Sequence, residues 1–470
     1  MASIPLGGSG ANFDSKKSRA LLINMIAEAD PNQNYSCVKR CDGLTSFSTA
    51  SGNIRSNILV NGDYAYYISG LYAYRTSTGG VSVNLGLISG VGRGQVVSNS
   101  VPGNNQILFL NGSGSWYIYN NSGLTLISDA DFFSTTSATI LNERFWFTRD
   151  GTNEFFASDI SDGFTYNPLS FASAEESPDF VKAMIAKKSS LWVIGEKTME
   201  FWQSFTDTTL PVRKVRSSTI ERGIKAVGSL AEAGDYFAFL ADDLTVRLVE
   251  GNNAKIISDL QFNLKLRGNG TTTYPGLSVT EDAVGFFVDT PAHKIYYITF
   301  PTSGYTWGYD ILTGLTHTRK TEDIDYWRIG AAAIFDGRIL VGDLISSTMW
   351  LLDPASKTES GILRATYRST GLSFDYDITI PWIEIDMEVG QIEDPTISPN
   401  IMLRYSKDGG YNWTNHSDIP LGNQGDYRKR IIVRNFGRLV RHKDFMVEII
   451  CTDAVRFTIY NIDIPLSESI

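Results

Sequence analysis

Apolar and polar residues alternate in short bursts along most of this 470-residue chain, and each burst doubles back at a turn. GDYAYYISGLYAYRTSTGG, Gly62 to Gly80, reads as a strand, a turn at Ser69-Gly70 and a second strand. QILFLNGSGSWYIYNNSG (Gln106 to Gly123) repeats the design around Asn111-Gly112, and RFWFTRDGTNEFFASD (from Arg144) repeats it around Asp150-Gly151. SSLWVIGEKTMEFWQSF (Ser189 to Phe205) does so around Gly195. DYFAFLADDLTVRLVEG (Asp235 to Gly251), VGFFVDTPAHKIYYITF (Val284 to Phe300) and DGRILVGDLISSTMWLLD (Asp336 to Asp353) complete the series. A period of two puts successive side chains on opposite faces of a strand, and Asn-Gly or Asp-Gly supplies the positive φ of a tight hairpin turn.

Seven hairpins that start about 40 to 50 residues apart match the spacing of four-stranded propeller blades. One hairpin cannot bury its apolar face alone, so neighbours must stack on it. The pattern therefore predicts an all-β chain with a β-propeller of about seven blades over residues 51–355. A decorated β-sandwich remains the competing architecture, because repeated hairpins do not distinguish closed from open packing. Residues 1–50 are expected to form an arm that contributes to propeller closure. Leu21, Leu22, Met25 and Ile26 stand at helical spacing, which predicts one short helix within Ser15 to Ala29. Beyond Asp353-Pro354 the rhythm changes. DITIPWIEIDMEVG (Asp377 to Gly390) and VRFTIYNIDIPL (Val455 to Leu466) predict strands of a separate small β-sandwich over residues 356–470.

Composition agrees, since 42 glycines and 12% aromatics suit a chain that turns often between short strands. No apolar run approaches the roughly 18 to 20 residues that cross a bilayer, and no basic region followed by an apolar one opens the chain. The expectation is a soluble product of a cytoplasm, with no membrane association. A net charge of −10 implies a surface that repels nucleic acid. One segment departs from this: YRKRIIVRNFGRLVRHK carries Arg428, Lys429, Arg430, Arg434, Arg438, Arg441 and Lys443 with no carboxylate. As a strand it would turn Ile431, Val433 and Leu439 to a core and Arg430, Arg434, Arg438 and Arg441 outward. Such a strand serves either as a charged edge, solvated or facing a neighbouring subunit, or as a contact for a polyanion such as DNA.

Candidate chemistry is sparse. Cys37, Cys41 and Cys451 are too few for a disulfide framework, and C-x3-C at Cys37 and Cys41 has no second pair to complete a metal site. Cys37 and Cys41 are expected to be two small half-buried thiols. His293, His317, His416 and His442 are scattered singly. GVGRGQ (Gly90 to Gln95) has the glycines of a phosphate loop without its Lys-Ser/Thr ending or its strand-loop-helix setting. Asp150, Glu154, Asp159 and Asp162 lie beside aromatics, yet they are better placed as turn and hairpin-end residues than as a glycosidase pair. SKDGGYNW (Ser406 to Trp413) approaches the Asp-box of sialidase-type propellers, itself a turn device. No catalytic, cofactor-binding or metal-binding residue is predicted. A carbohydrate-binding propeller and a sialidase-like hydrolase remain the alternative functions.

The order of several motifs resembles the tail-hub, or packaged-DNA stabilisation, family of short-tailed bacteriophages. Asn24-Met25 and Glu28 are similar to that family's opening, and DGLTSFSTASGNIRS to its Pro-Gly-Leu-x-x-Phe segment followed by Gly52, Ile54 and Arg55. Arg144, Trp146, Asp150, Gly151 and Thr152 resemble its Asp-Gly-Thr hairpin. Gly195, Thr198, Glu200 and Phe201 resemble its Gly-x-x-Thr-Ile-Glu-Phe strand, and Arg222, Gly223 and Ile224 its Lys-Gly-Ile loop. Asp408, Gly409, Gly437 and Arg438 fall in its closing segments. Asp42 stands where the family has Pro, and Arg222 where it has Lys. The resemblance implies a non-enzymatic virion tail component, assembled in the host cytoplasm as a hexameric ring below the portal and its adaptor protein. It further implies channel closure after packaging, attachment of a tail needle and tailspikes, and proximity to the end of the packaged DNA.

Overall fold

The computed structural model describes all residues except 1, 5, 7–19, 31–34, 121, 175–178, 207–209, 217, 270–274, 393–395, 466 and 469–470. Seven four-stranded antiparallel blades follow one another, spanning 59–87, 95–126, 138–173, 181–214, 231–256, 284–318 and 329–353, and all but the sixth are separate sheets. The seventh takes its outermost strand, Gly43–Thr49, from near the N-terminus, where it pairs with Thr348–Asp353. That strand closes the ring, so the open-sandwich alternative for this region is excluded. Six of the hairpins read from the sequence are the middle pairs of their blades. The sixth, over 284–300, is the inner pair.

Period-two alternation is what stacks the blades. In blade three Phe145, Phe147 and Phe156 turn toward blade two and meet Leu108 and Ile118. Trp146 and Phe155, the alternate residues, turn toward blade four and meet Met184, Leu191 and Trp202. Each of the other five blade boundaries has its own apolar cluster of the same kind. The innermost strands of all seven blades surround a central channel of about 820 Å³. Turn chemistry follows the sequence at Asp150-Gly151, where Gly151 has φ 70°. Gly195 differs: the turn falls at Glu196-Lys197, and Gly195 is needed because the Asp179 carboxylate fills the space of a Cβ while accepting the Lys197 and Thr198 N–H groups at 2.7 and 2.9 Å.

The predicted N-terminal helix is not formed over its described part; residues 15–19 lie outside the described residues. Leu21–Ile23 and Met25–Asp30 are strands, separated by Asn24 in the left-handed conformation (φ 55°). Leu22, Met25 and Ala27 enter the sandwich core, whereas Ile26 enters the cluster between blades six and seven. The apparent helical spacing is thus two short strands joined by a kink. The one α-helix among the described residues is Leu260–Arg267, between blades five and six. Asp259 caps it by accepting the Phe262 N–H at 2.7 Å, and Phe262 stacks on Trp307 with ring centres 4.4 Å apart.

The C-terminal strands form a β-sandwich completed by the N-terminal segment. One sheet runs Met25–Asp30, Tyr35–Arg40, Thr458–Ile464, Ile378–Met387 and Ile431–Leu439. The other runs Leu21–Ile23, Ala365–Arg368, Met446–Cys451, Asn400–Ser406 and Ser417–Pro420. Leu21–Ile23 belongs to two units at once, for it also pairs in parallel with the outer strand of blade six through Ile23 and Thr318. Blade six and the second sandwich sheet are therefore one continuous nine-stranded sheet.

Phe147 is fully buried and packs edge-on to Trp116 and Phe132. Phe147→Ala is expected to lower unfolding free energy by about 3–5 kcal/mol, read as a shift in urea midpoint. Phe171→Ala, on the outer strand of the same blade and 46% exposed, should change it by no more than about 0.5 kcal/mol.

Candidate partner-contact surface

The basic segment forms the strand Ile431–Leu439 at the open edge of its sheet, paired on one side only, with Ile378–Met387. Ile431 and Leu439 are buried and Val433 packs against the core, as alternation requires. Strict alternation fails between them. Asn435 and Gly437 adopt φ 73° and 72°, the register slips opposite Ile380 and Trp382, and Phe436 turns inward onto Tyr405 and Phe445. The extra residue of this bulge keeps Arg434 and Arg438 on the outside.

Two of the seven cations are held within the chain. Arg430 makes a two-pronged bond to Glu384, Nε to Oε1 at 2.5 Å and Nη2 to Oε2 at 2.6 Å. Arg438 bonds Asp377, which also accepts the Arg441 backbone N–H at 2.8 Å. The hydrogen bond from Arg430 lowers the Glu384 pKa, and the Arg441 N–H followed by Arg438 lowers that of Asp377. Arg428, Lys429, Arg434, Arg441 and Lys443 are exposed, and their side chains form no ion pair among the described residues. Sequence reasoning found the cations but missed Glu384 and Asp377. The signal was DITIPWIEID, which places Glu384 on the neighbouring strand and Asp377 immediately before it.

The remaining candidates are structural. Asp408 of SKDGGYNW accepts the N–H groups of Tyr411 and Asn412 at 3.1 and 2.9 Å, as a turn device should. Trp413 lies over Arg368 and Arg404, which both bond the buried Glu448 at 2.7 and 2.6 Å through Nε. Asp150 is exposed at a turn, Glu154 pairs with Arg149, and Asp159 and Asp162 share the Thr165 hydroxyl. The aromatics beside them, Phe145, Trp146, Phe147 and Phe155, are fully buried and leave no face for a sugar. Cys37 and Cys41 are buried rather than half-buried, as is Cys451, and burial raises the Cys41 pKa to about 12. Among the described residues no cluster of three His, Cys, Asp or Glu stands ready for a metal ion. No helix there is long and apolar enough to cross a membrane.

The joint between propeller and sandwich is held by buried polar groups. Asn24 donates through Nδ2 to the carbonyls of Lys320 and Arg364 at 2.8 and 2.9 Å and accepts the Lys320 N–H at 2.9 Å. Arg319, stacked 3.9 Å over Trp327, pairs with Glu359, whose carboxylate also accepts the Trp327 Nε1–H at 3.0 Å. In blade six, His293 donates from Nδ1 to Asp310 at 2.8 Å and from Nε2 to Glu28 of the sandwich at 3.4 Å. The bonds to Asp310 and then Glu28 raise the His293 pKa to about 9, and His293 with Lys39 lowers that of Glu28 to about 2.

Fold and surface together define a class: a closed propeller fused to a sandwich, with a cationic open edge and no catalytic constellation among the described residues. Residues 2–357 match the family model described as bacteriophage P22 Gp10, beta-propeller, and residues 372–467 match bacteriophage P22 Gp10, beta-sandwich. The chain belongs to this family of short-tailed phage tail proteins, a structural component of the virion tail and not an enzyme. No match is found among curated proteins. Solved structures with a similar outline include the computationally designed Ika8 protein, at 12% identity and TM-score 0.41, covering 65% of this chain and 99% of that one. The Neurospora crassa Pan2 WD40 domain gives 9% and 0.40, with 66% and 95% covered. BamB from Moraxella catarrhalis gives 9% and 0.40, with 72% and 98% covered.

Two outcomes test the joint and the Asp-box region. The raised His293 pKa contributes stability that is complete below the ordinary imidazole value of 6.5 and is lost as pH rises through about 9. Wild-type stability should therefore fall across that window, and His293→Gln should flatten this part of the pH profile. Glu448→Gln strands two arginines and should cost up to about 3 kcal/mol in urea unfolding, the lower end of the buried-pair range.

Proposed function

We propose that this chain is a hub subunit of a short phage tail, present as a hexameric ring beneath the portal and its adaptor protein and assembled in the host cytoplasm. In that place it closes the channel after DNA packaging and anchors the tail needle and tailspikes. The observation that carries the reading is family membership across both units of the chain, propeller and sandwich. Two physical features support it. A propeller tied to a sandwich by one continuous sheet is a stiff block that transmits load without a hinge. The five cations without an ion pair among the described residues stand on a chain of net charge −10, so one copy's basic edge is complementary to the prevailing acidity of the next. A head-to-tail contact between unlike patches closes into a ring when its rotation divides a full turn. The packaged DNA is the competing occupant of the same edge, and its contact would neutralise phosphates.

Native mass measurement of the protein with its adaptor should show six copies per ring; a monomer that persists with the adaptor present contradicts the hub. Changing Arg434, Arg441 and Lys443 together to glutamine should leave the thermal midpoint unchanged and weaken ring assembly, most visibly at low salt. Loss of DNA binding with ring assembly intact would assign the edge to DNA instead.

A further inference from the structure

Between Asp63 and Asp129 the chain carries two charged residues, Arg75 and Arg93, although 20% of its residues are charged. This stretch forms blades one and two. Neither arginine is a free surface charge. Arg75 is half-buried over the rings of Tyr64 and Tyr119, at 4.5 and 5.9 Å, and Arg93 lines the central channel, where Nη2 donates to the Gly330 carbonyl at 2.8 Å. The outer wall of the two blades is apolar instead. Val81, Val83 and Leu87 of blade one are 64%, 41% and 52% exposed, and Leu126 of blade two is 45% exposed. The outer strands Ser82–Leu87 and Gly123–Leu126 meet where a Cβ at Gly86 would sit 3.0 Å from Leu124 Cδ2, so the wall is continuous across both blades. Each of these strands is paired on one side only among the described residues.

An open strand edge offers its N–H and C=O groups to any other strand, and proteins guard it with charge, proline or cover. The remaining blades do so. Blade three has Asp162 and Pro168 in its outer strand Asp162–Ser173, blade four has Arg213 and Lys214 in Val212–Lys214, and blade five has Lys255 in Asn253–Ile256. Blade six is covered by Leu21–Ile23. Blade seven is covered at the start of its outer strand, where Gly43 and Leu44 donate to the carbonyls of Ser356 and Thr358 at 3.1 and 2.9 Å. The outer strands of blades one and two have neither charge nor proline. Loss of charge together with exposed apolar side chains marks the centre of a protein interface.

We propose that this wall is an interface between two copies of the chain, in which the outer strand of blade one meets its counterpart across a two-fold axis. The occupant follows from charge. Two chains of net charge −10 repel wherever acidic surfaces face each other, and approach costs least where one uncharged wall faces another. A surface without charges of either sign is complementary to itself, as an isologous contact requires. Strands related by a two-fold axis run antiparallel, so the two free edges pair while Val83 and Leu87 leave water. The contact belongs to the free chain. It lies apart from the basic edge of the sandwich and does not rest on the hub assignment.

Sedimentation of the full chain over a range of concentrations, at low and at high salt, tests it. A species of two copies is expected to grow with concentration and to persist at high salt, because screening relieves the repulsion between the chains and leaves apolar contact intact. Val83→Lys with Leu87→Lys sets like charges against each other and should weaken the pairing by about tenfold or more. Both sites are exposed, so the thermal midpoint should not change. Changing Arg434, Arg441 and Lys443 to glutamine should leave the pair intact. A monomer at every concentration and salt overturns the proposal, as does a pair that survives the two lysines. A pair that dissolves at high salt or in the glutamine variant also overturns it and places the contact at the basic edge. Should the lysine variant not fold, hydrogen exchange of the wild type decides. Amides of Ser82–Leu87 should slow as the protein is concentrated, and equal exchange in dilute and concentrated samples refutes the interface. The six-copy ring with the adaptor is a separate measurement, so either reading can fail without the other.

Discussion

Three residues, Leu21–Ile23, pair with blade six on one side and with the sandwich strand Ala365–Arg368 on the other, and the relation of the two units depends on that pairing. A strand within a sheet spends its N–H and C=O groups on both neighbours, so neither unit can swing away without exposing backbone polar groups. Asn24 makes the arrangement possible. Its left-handed backbone lets the chain leave the seam and enter the opposite sandwich sheet, while its side chain bonds the backbone on either side of the joint. Gly43–Thr49 then closes the propeller. Leu21–Ile23, Asn24 and Gly43–Thr49 thus tie the ring shut and bind it to the sandwich.

The blades were legible in the sequence because their physics is local. Alternation over five or six residues, with Asn-Gly or Asp-Gly between, specifies a hairpin, and aromatics on both faces require a neighbour on each side. The seam was not legible. Leu21, Leu22, Met25 and Ile26 have the spacing of an amphipathic helix, and only partners some 300 residues away, Thr318 and Thr366, turn them into strands. Local propensity is overridden there by long-range pairing. The helix Leu260–Arg267 had a readable signal in Asp259 before it and Gly268 after it, obscured by the strand rhythm on either side.

The basic edge shows the same division. Its cations and outward direction follow from sequence, whereas the bulge that buries Phe436 follows from positive φ at Asn435 and Gly437, and the pairing of Arg430 and Arg438 from a strand about fifty residues earlier. Residues through which the chain resembles its family mostly act in the scaffold. Asn24 joins the units, Arg55 clamps three loop carbonyls, Glu200 is buried against Trp202 and Lys214, and a Cβ at Gly223 would collide with the backbone of Glu196. Such residues maintain a rigid body, which is the physical requirement of a tail component.

Whether the propeller and sandwich behave as one body is tested most directly by native-state hydrogen exchange resolved by segment. The continuous sheet predicts that amides of Lys294–Phe300 in blade six and of Met446–Cys451 in the sandwich exchange through one opening, with the same free energy and the same denaturant dependence. Separate openings, with the sandwich released while blade six stays protected, would contradict the account.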